Sequence, residues 1–145
     1  MASIIESVEK ALYSKLSGDT GTGGLMTLVT WAGPEVAMSA KAYPLLTFTL
    51  VSPPEVVNAL SATAFYRLPY RLIAYTTQSA EGATDNGLGQ AIIARIITLL
   101  NRVALTVTGY THIASLASNP YAPIVMFSGG MAYVGTSVDV TIWVQ

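Results

Sequence analysis

Cysteine is absent from this 145-residue chain, histidine occurs once, and charged residues make up only 10% of it. Without thiols there can be no disulfide, thiolate metal site, cysteine nucleophile or iron–sulfur cluster, so stability has to come from packing. His112, the one histidine, is too few for an imidazole metal site. The 12 Ser and 16 Thr offer no nucleophile-elbow motif to pair with it. Paired acids fare no better: Glu6 and Glu9 fall on a solvated helix face, and Glu81 and Asp85 share a polar loop, with nothing to raise a carboxyl pKa. Seven Lys and Arg against eight Asp and Glu leave a net charge of -1, which supplies no cationic surplus for a phosphate backbone. Also missing is the run of about 20 uninterrupted apolar residues that a membrane-spanning helix needs. The most apolar stretch, Ala91 to Val107, is broken by Arg95, Asn101 and Arg102. Met1 to Glu6 shows no basic flank ahead of an apolar run, so no signal peptide is expected there.

What the chain does have is apolar mass: 52% of its residues are hydrophobic, and its length fits one domain over residues 1–145 with a substantial core. The few charges are also unevenly placed, because Val103 to Val138, 36 residues, contains no Asp, Glu, Lys or Arg. A free monomer ordinarily carries about 25–35% charged residues on its surface. Burial of much of this stretch against other copies of the chain is therefore expected.

Ile4, Ile5, Val8, Ala11, Leu12 and Leu16 recur at three- and four-residue steps, which predicts an amphipathic helix. Ser3 and Glu6 form a capping-box pattern at its start and Gly18 is its stop. The Gly18 to Gly24 run precedes a β-prone segment, Leu25 to Ala32, and has neither the order nor the spacing of a phosphate loop. It reads as a flexible connector. Leu45 to Val51 and Phe65 to Thr77 alternate as strands of a long hairpin, with Glu55 to Ala64 between them as a connector or short helix. Pro69 marks an edge position or a bulge.

A second helix is expected from Leu88 to Ala104, with an apolar stripe wide enough to be covered on most sides. Thr106 to Ala117 is ambiguous. Ile124 to Phe127 and Ala132 to Val144 read as strands about a turn at Ser128-Gly129-Gly130. The sum is an α+β fold, an antiparallel β-sheet with two main helices packed against it.

Arg67 and Arg71 share one strand face and are candidates for intersubunit pairing with the acidic loop of Glu81 and Asp85. Arg95 and Arg102 complete the candidate interface set. No catalytic, cofactor or metal residue is assigned.

In the order and spacing of its elements the chain resembles the tail terminator (tail completion) proteins of long-tailed bacteriophages. The resemblance is carried by the opening helix with Ile4, Val8, Ala11 and Leu12; the strand Tyr43-Pro44-Leu45-Leu46-Thr47-Phe48; the strand Tyr70 to Thr76; the second helix ending Leu99-Leu100-Asn101; and the closing strand Ala132 to Val144. The Gly18 to Gly24 loop and the charge-free stretch depart from that pattern. The resemblance implies a virion protein, made in the host cytoplasm, that forms a hexameric ring without a cofactor. Such a ring docks on the tail tube protein, ends tube polymerisation and meets a head-side connector or head-completion protein. Two alternatives stand beside it: another tube or neck protein, and an apolar-ligand domain whose pocket Tyr66, Tyr70, Tyr133 and Trp143 would line.

Overall fold

A computed structural model describes residues 3–34, 43–58, 64–77, 86–128 and 131–145. Helix α1 (Ile4–Ser17) opens as its cap predicts: Ser3 Oγ accepts the Glu6 N–H at 3.1 Å. The reciprocal half of the capping box is not made, because the Glu6 carboxylate turns to Lys10 Nζ, 2.7 Å away on the next turn. Val8, Ala11, Leu12 and Leu16 are buried along one side.

The β-prone segment after the glycines is mostly not a strand. Leu25–Thr27 forms a single 3-10 turn, and only Trp31–Pro34 (β1) is extended. The turn wins because the Leu25 N–H is held by Asp19 Oδ2 at 2.6 Å and Thr27 Oγ1 donates to the Gly24 carbonyl at 2.6 Å. Strand β2 (Leu45–Leu50) then runs parallel to β1. That corrects the all-antiparallel expectation: the sheet is mixed. Thr30 fixes the arrangement by donating from its N–H to the Pro44 carbonyl at 2.8 Å.

Glu55–Asn58, expected as connector or short helix, is strand β3. Its β-branched Val56 and Val57 favour extended backbone, and Glu55 is joined to its cross-strand partner Arg67 by a 3.2 Å ion pair. Strand β4 (Ala64–Thr77) pairs with β3 at one end and β2 at the other. Pro69 is thus neither at an edge nor at a bulge but in a central strand. Its carbonyl accepts the Val51 N–H at 2.9 Å, so the side on which its own N–H is missing is the gap where β2 has ended and β3 has not begun.

Helix α2 (Asn86–Leu100) stops four residues short of the expected Ala104. Strand β5 (His112–Ala117) takes over its end groups: Arg102 N–H donates to the Ser115 carbonyl at 2.7 Å, and Asn101 Oδ1 accepts the Ala117 N–H at 2.9 Å. The outer side of α2, at Gln90, Ala91, Ala94 and Thr98, is exposed, so cover on most sides is not what the single chain provides. Strands β6 (Ile124–Ser128) and β7 (Met131–Val144) form the closing hairpin.

Among the described residues one seven-stranded sheet results, in the order β1-β2-β4-β7-β5, with β3 on β4 and β6 on β7. The long β4–β7 pair is its spine. Leu68, Tyr70, Leu72 and Ala74 of β4 and Val138, Val140, Ile142 and Val144 of β7 pack with Val8, Leu12, Leu16, Ile92, Ile96 and Leu100 into a single core. Their alternates, Arg67, Pro69, Arg71 and Ile73 with Ser137, Asp139, Thr141 and Trp143, form an opposite face that is half-buried or exposed.

Tyr70 lies fully inside this core, edge-on to Phe48 with ring centroids 6.3 Å apart, and its hydroxyl has no hydrogen-bond partner. Burial, with the Glu9 carboxylate adding to it, pushes that hydroxyl's pKa up. Tyr70→Phe removes the unpaired oxygen and keeps the ring, so urea unfolding is expected to show a gain of about 1 kcal/mol. An equal loss would mean that the hydroxyl is hydrogen-bonded in solution.

Candidate functional site

The charge-free stretch is the feature of the sequence most in need of a location. From Val103 to Met126 it is largely on the outside of the chain, with Leu105, Val107 and Ser115 buried there among mostly exposed or half-buried neighbours. Ile113 (44% exposed), Leu116 (41%), Tyr121 (46%), Ile124 (63%) and Val125 (44%) put large apolar side chains into water. They lie on β5, β6 and the segment between, which is one border of the sheet. Of its part on β7, Val134, Thr136 and Val138 are buried, while Tyr133 and Ser137 are half-buried.

Beside this border, on the open face, the one acid that follows the stretch is fully engaged. Asp139 lies directly across from Arg71 in the β4–β7 ladder and takes Nε at 2.9 Å and Nη2 at 3.2 Å. Tyr121 Oη donates to its Oδ2 at 2.7 Å, and the Arg71 guanidinium carbon sits 5.1 Å from the centre of the Tyr121 ring. The cluster ties the 118–123 segment to the spine, helped by Ser118 N–H on the Asp139 carbonyl at 2.8 Å and Tyr121 N–H on the Ser137 carbonyl at 2.9 Å. The hydrogen bonds from Arg71 hold the Asp139 carboxyl below its ordinary pKa.

Arg67 and Arg71 do share a face, and each has a partner within its own chain, Glu55 and Asp139 respectively. Glu81 and Asp85 lie outside the described residues. Arg95 is engaged as well, in a two-pronged pair with Asp19, Nε to Oδ2 at 2.7 Å and Nη2 to Oδ1 at 2.8 Å. That pair fastens the glycine-rich loop to α2, so the expected flexible connector is a structured turn. Arg102 is exposed, takes a left-handed backbone (φ 58°), and has no ion pair among the described residues.

Sequence reasoning passed over Asp19, Tyr121 and Asp139, because the partners of Asp19 and Asp139 are 76 and 68 residues away. Only the register of β4 against β7 could have paired Arg71 with Asp139.

The Arg95 guanidinium and the Leu25 N–H lower the Asp19 carboxyl to about 2, against the opposing effect of burial. A folded pKa below the unfolded value of 3.8 means that the pair's stabilisation is complete above 3.8 and is lost as pH falls towards 2. Asp139 acts in the same sense. Glu9, half-buried and not on the solvated face expected for it, acts oppositely: burial raises its pKa, so its contribution is greatest below 4.5 and is lost as pH rises through the folded value. With Arg95 a third exposed, the Asp19 share comes to about 1–2 kcal/mol after solvent screening. Unfolding free energies from urea titrations at about pH 5 down to about pH 2 are expected to fall by that amount more in the wild type than in Asp19→Asn.

His112 and Ser115 sit together, Nε2 to Oγ 2.7 Å, beside Arg102. The Leu105 N–H points at Nδ1, 3.4 Å away, which favours the tautomer whose Nε2–H donates to Ser115. A general base needs that nitrogen to accept, and burial also lowers the His112 pKa. The Leu105 contact to His112 ties the 103–107 segment to β5, whereas the His112–Ser115 pair lies within that strand. Among the described residues, no three metal-binding side chains converge, and no helix is long and apolar enough to cross a membrane.

The apolar-pocket reading fails on geometry. Tyr66 and Tyr70 pack against the helices, whereas Tyr133 and Trp143 belong to the opposite face, so the four line no common space. A groove of about 300 Å³ between α2 and the 120–123 segment is lined by none of them.

No protein-family model matches the chain, and no curated protein sequence matches it. By structure it is similar to a chain from the virion of a native gene transfer agent (GTA) particle, with a TM-score of 0.61 over 99% of both chains and 13% sequence identity. What the two chains share at that identity is the overall fold.

Proposed function

We propose that this chain is a structural subunit of a phage-like virion. In our reading it forms a ring, hexameric by the resemblance of its element order to tail terminators, that caps the tail tube, ends tube growth and presents its other side to the head-side connector. The observation that carries the reading is the exposed, charge-free border of β5, β6 and the 118–123 segment. An apolar surface of this kind is stabilised by association at about 25 cal/mol per Å² buried, and closed rings bury two different patches on every subunit. The fold shared end to end with a chain of a gene transfer agent virion supports the same reading. In this role the chain catalyses nothing and holds no cofactor. Arg102, which has no ion pair among the described residues, is the arginine left to choose register between subunits, with Glu81 and Asp85 as candidate partners.

Native mass spectrometry tests the reading. The expected species is a ring of about six times the 15.3 kDa chain mass, alone or after addition of tail tube protein. A sharp monomer at every concentration, with and without that protein, would falsify it.

A further inference from the structure

The ring reading does not say which surfaces of neighbouring subunits meet. Of the large hydrophobic side chains exposed among the described residues, all but Tyr13 fall into two groups. One is the β5–β6 border. The other is Val51 with Val56 and Val57 on β3, beyond the spine on the other side of the sheet. Among the described residues, no backbone hydrogen bond reaches the outer edge of β6 or of β3. Neither strand has the lysine or inward charge that usually guards a free edge: β6 is uncharged, and the only charge on β3, Glu55, is matched by Arg67 within the chain.

We propose that β6 of one subunit adds to the outer edge of β3 of the next, so that a single sheet runs from copy to copy. The proposal rests on the ring reading for the existence of a second copy, and adds the two edges that meet. Electrostatics favour another copy as the occupant. A partner with ordinary surface charge would leave ions desolvated and unpaired against β6, whereas β3 brings a neutral edge with its one acid already paired. A two-fold contact of β6 with β6 would cover only one of the two apolar groups. A head-to-tail β6–β3 contact covers both and repeats around a ring. Side-chain direction also agrees, since Val125 is opposite Val134 and Val56 opposite Tyr66, both on the helix-bearing side of the sheet.

The natural absence of cysteine allows a direct test. In the double variant Val56→Cys, Val125→Cys, mild oxidation is expected to give a ladder of cross-linked species from dimer up to the full ring, while each single variant stays monomeric on denaturing electrophoresis. A dimer from Val125→Cys alone would show β6 against β6 and overturn the proposal. A ring by native mass spectrometry without any ladder would overturn the edge assignment and leave the ring standing. Loss of both would overturn the two together. As an independent variant, Ile124→Lys is expected to keep the wild-type circular dichroism and melting curve of the subunit and to weaken assembly at least tenfold. Unchanged assembly would count against β6.

Discussion

Asp19→Ala is expected to lower stability by about 3 kcal/mol, or about 10 °C in Tm, the largest effect of any single polar substitution in the described structure. Three hydrogen bonds end on this carboxylate: the Leu25 N–H at 2.6 Å and two from the Arg95 guanidinium at 2.7 and 2.8 Å. All are charge-assisted, and such bonds contribute about 1.5–3 kcal/mol where water is excluded. The Asp19 side chain is 13% exposed, Arg95 33%. Removing the acid therefore frees a buried N–H at Leu25, whereas removing the arginine leaves its carboxylate one remaining bond. Arg95→Ala is expected to cost less than Asp19→Ala, and the double variant little more than Asp19→Ala alone, which is a favourable coupling between the two side chains. Chemical denaturation of the four proteins measures it. Additive losses would show that loop and helix are held together by something else.

Gly24→Ala is expected to match or exceed that loss, at about 3–4 kcal/mol, though it adds only a methyl group. A Cβ on Gly24 would stand 2.5 Å from the Asp19 carbonyl oxygen and 2.8 Å from that of Gly21. Both obstacles are backbone, so relief requires the turn to open. Opening it moves Leu25 away from Asp19 and loosens the grip on Arg95. Gly21→Ala is the control: nothing lies within 4 Å of its added carbon and its φ is not positive, so a change within about 0.5 kcal/mol is expected. Equal melting temperatures for the two variants would contradict the turn geometry.

Both expectations concern the loop whose sequence predicts a flexible connector. Its glycines were visible, but the reason for Gly24 is a close approach of backbone to backbone, and the reason for Asp19 is an arginine on a helix 76 residues away. The elements with strong periodicity were legible from their own residues: α1, the alternation of β2, β4 and β7, and the existence of α2. The legible part of the candidate interface was its location in the chain, a stretch with no charge.

Local pattern alone determined that this protein has two amphipathic helices and long alternating strands, no metal or thiol chemistry built on cysteine, and one quarter without a charge to suit it to ordinary surface. Those are properties of neighbours within a few residues of one another, which periodicity and composition record. Tertiary structure decided the rest. It made β1 parallel, turned Glu55–Asn58 into a strand, ended α2 at Leu100 and gave Arg67, Arg71 and Arg95 partners within the chain. Each of these depends on which distant backbone edge or side chain supplies the missing hydrogen bond or counter-charge, and that is set only when elements far apart in the chain pack together, as when the register of β4 against β7 brings Asp139 to Arg71.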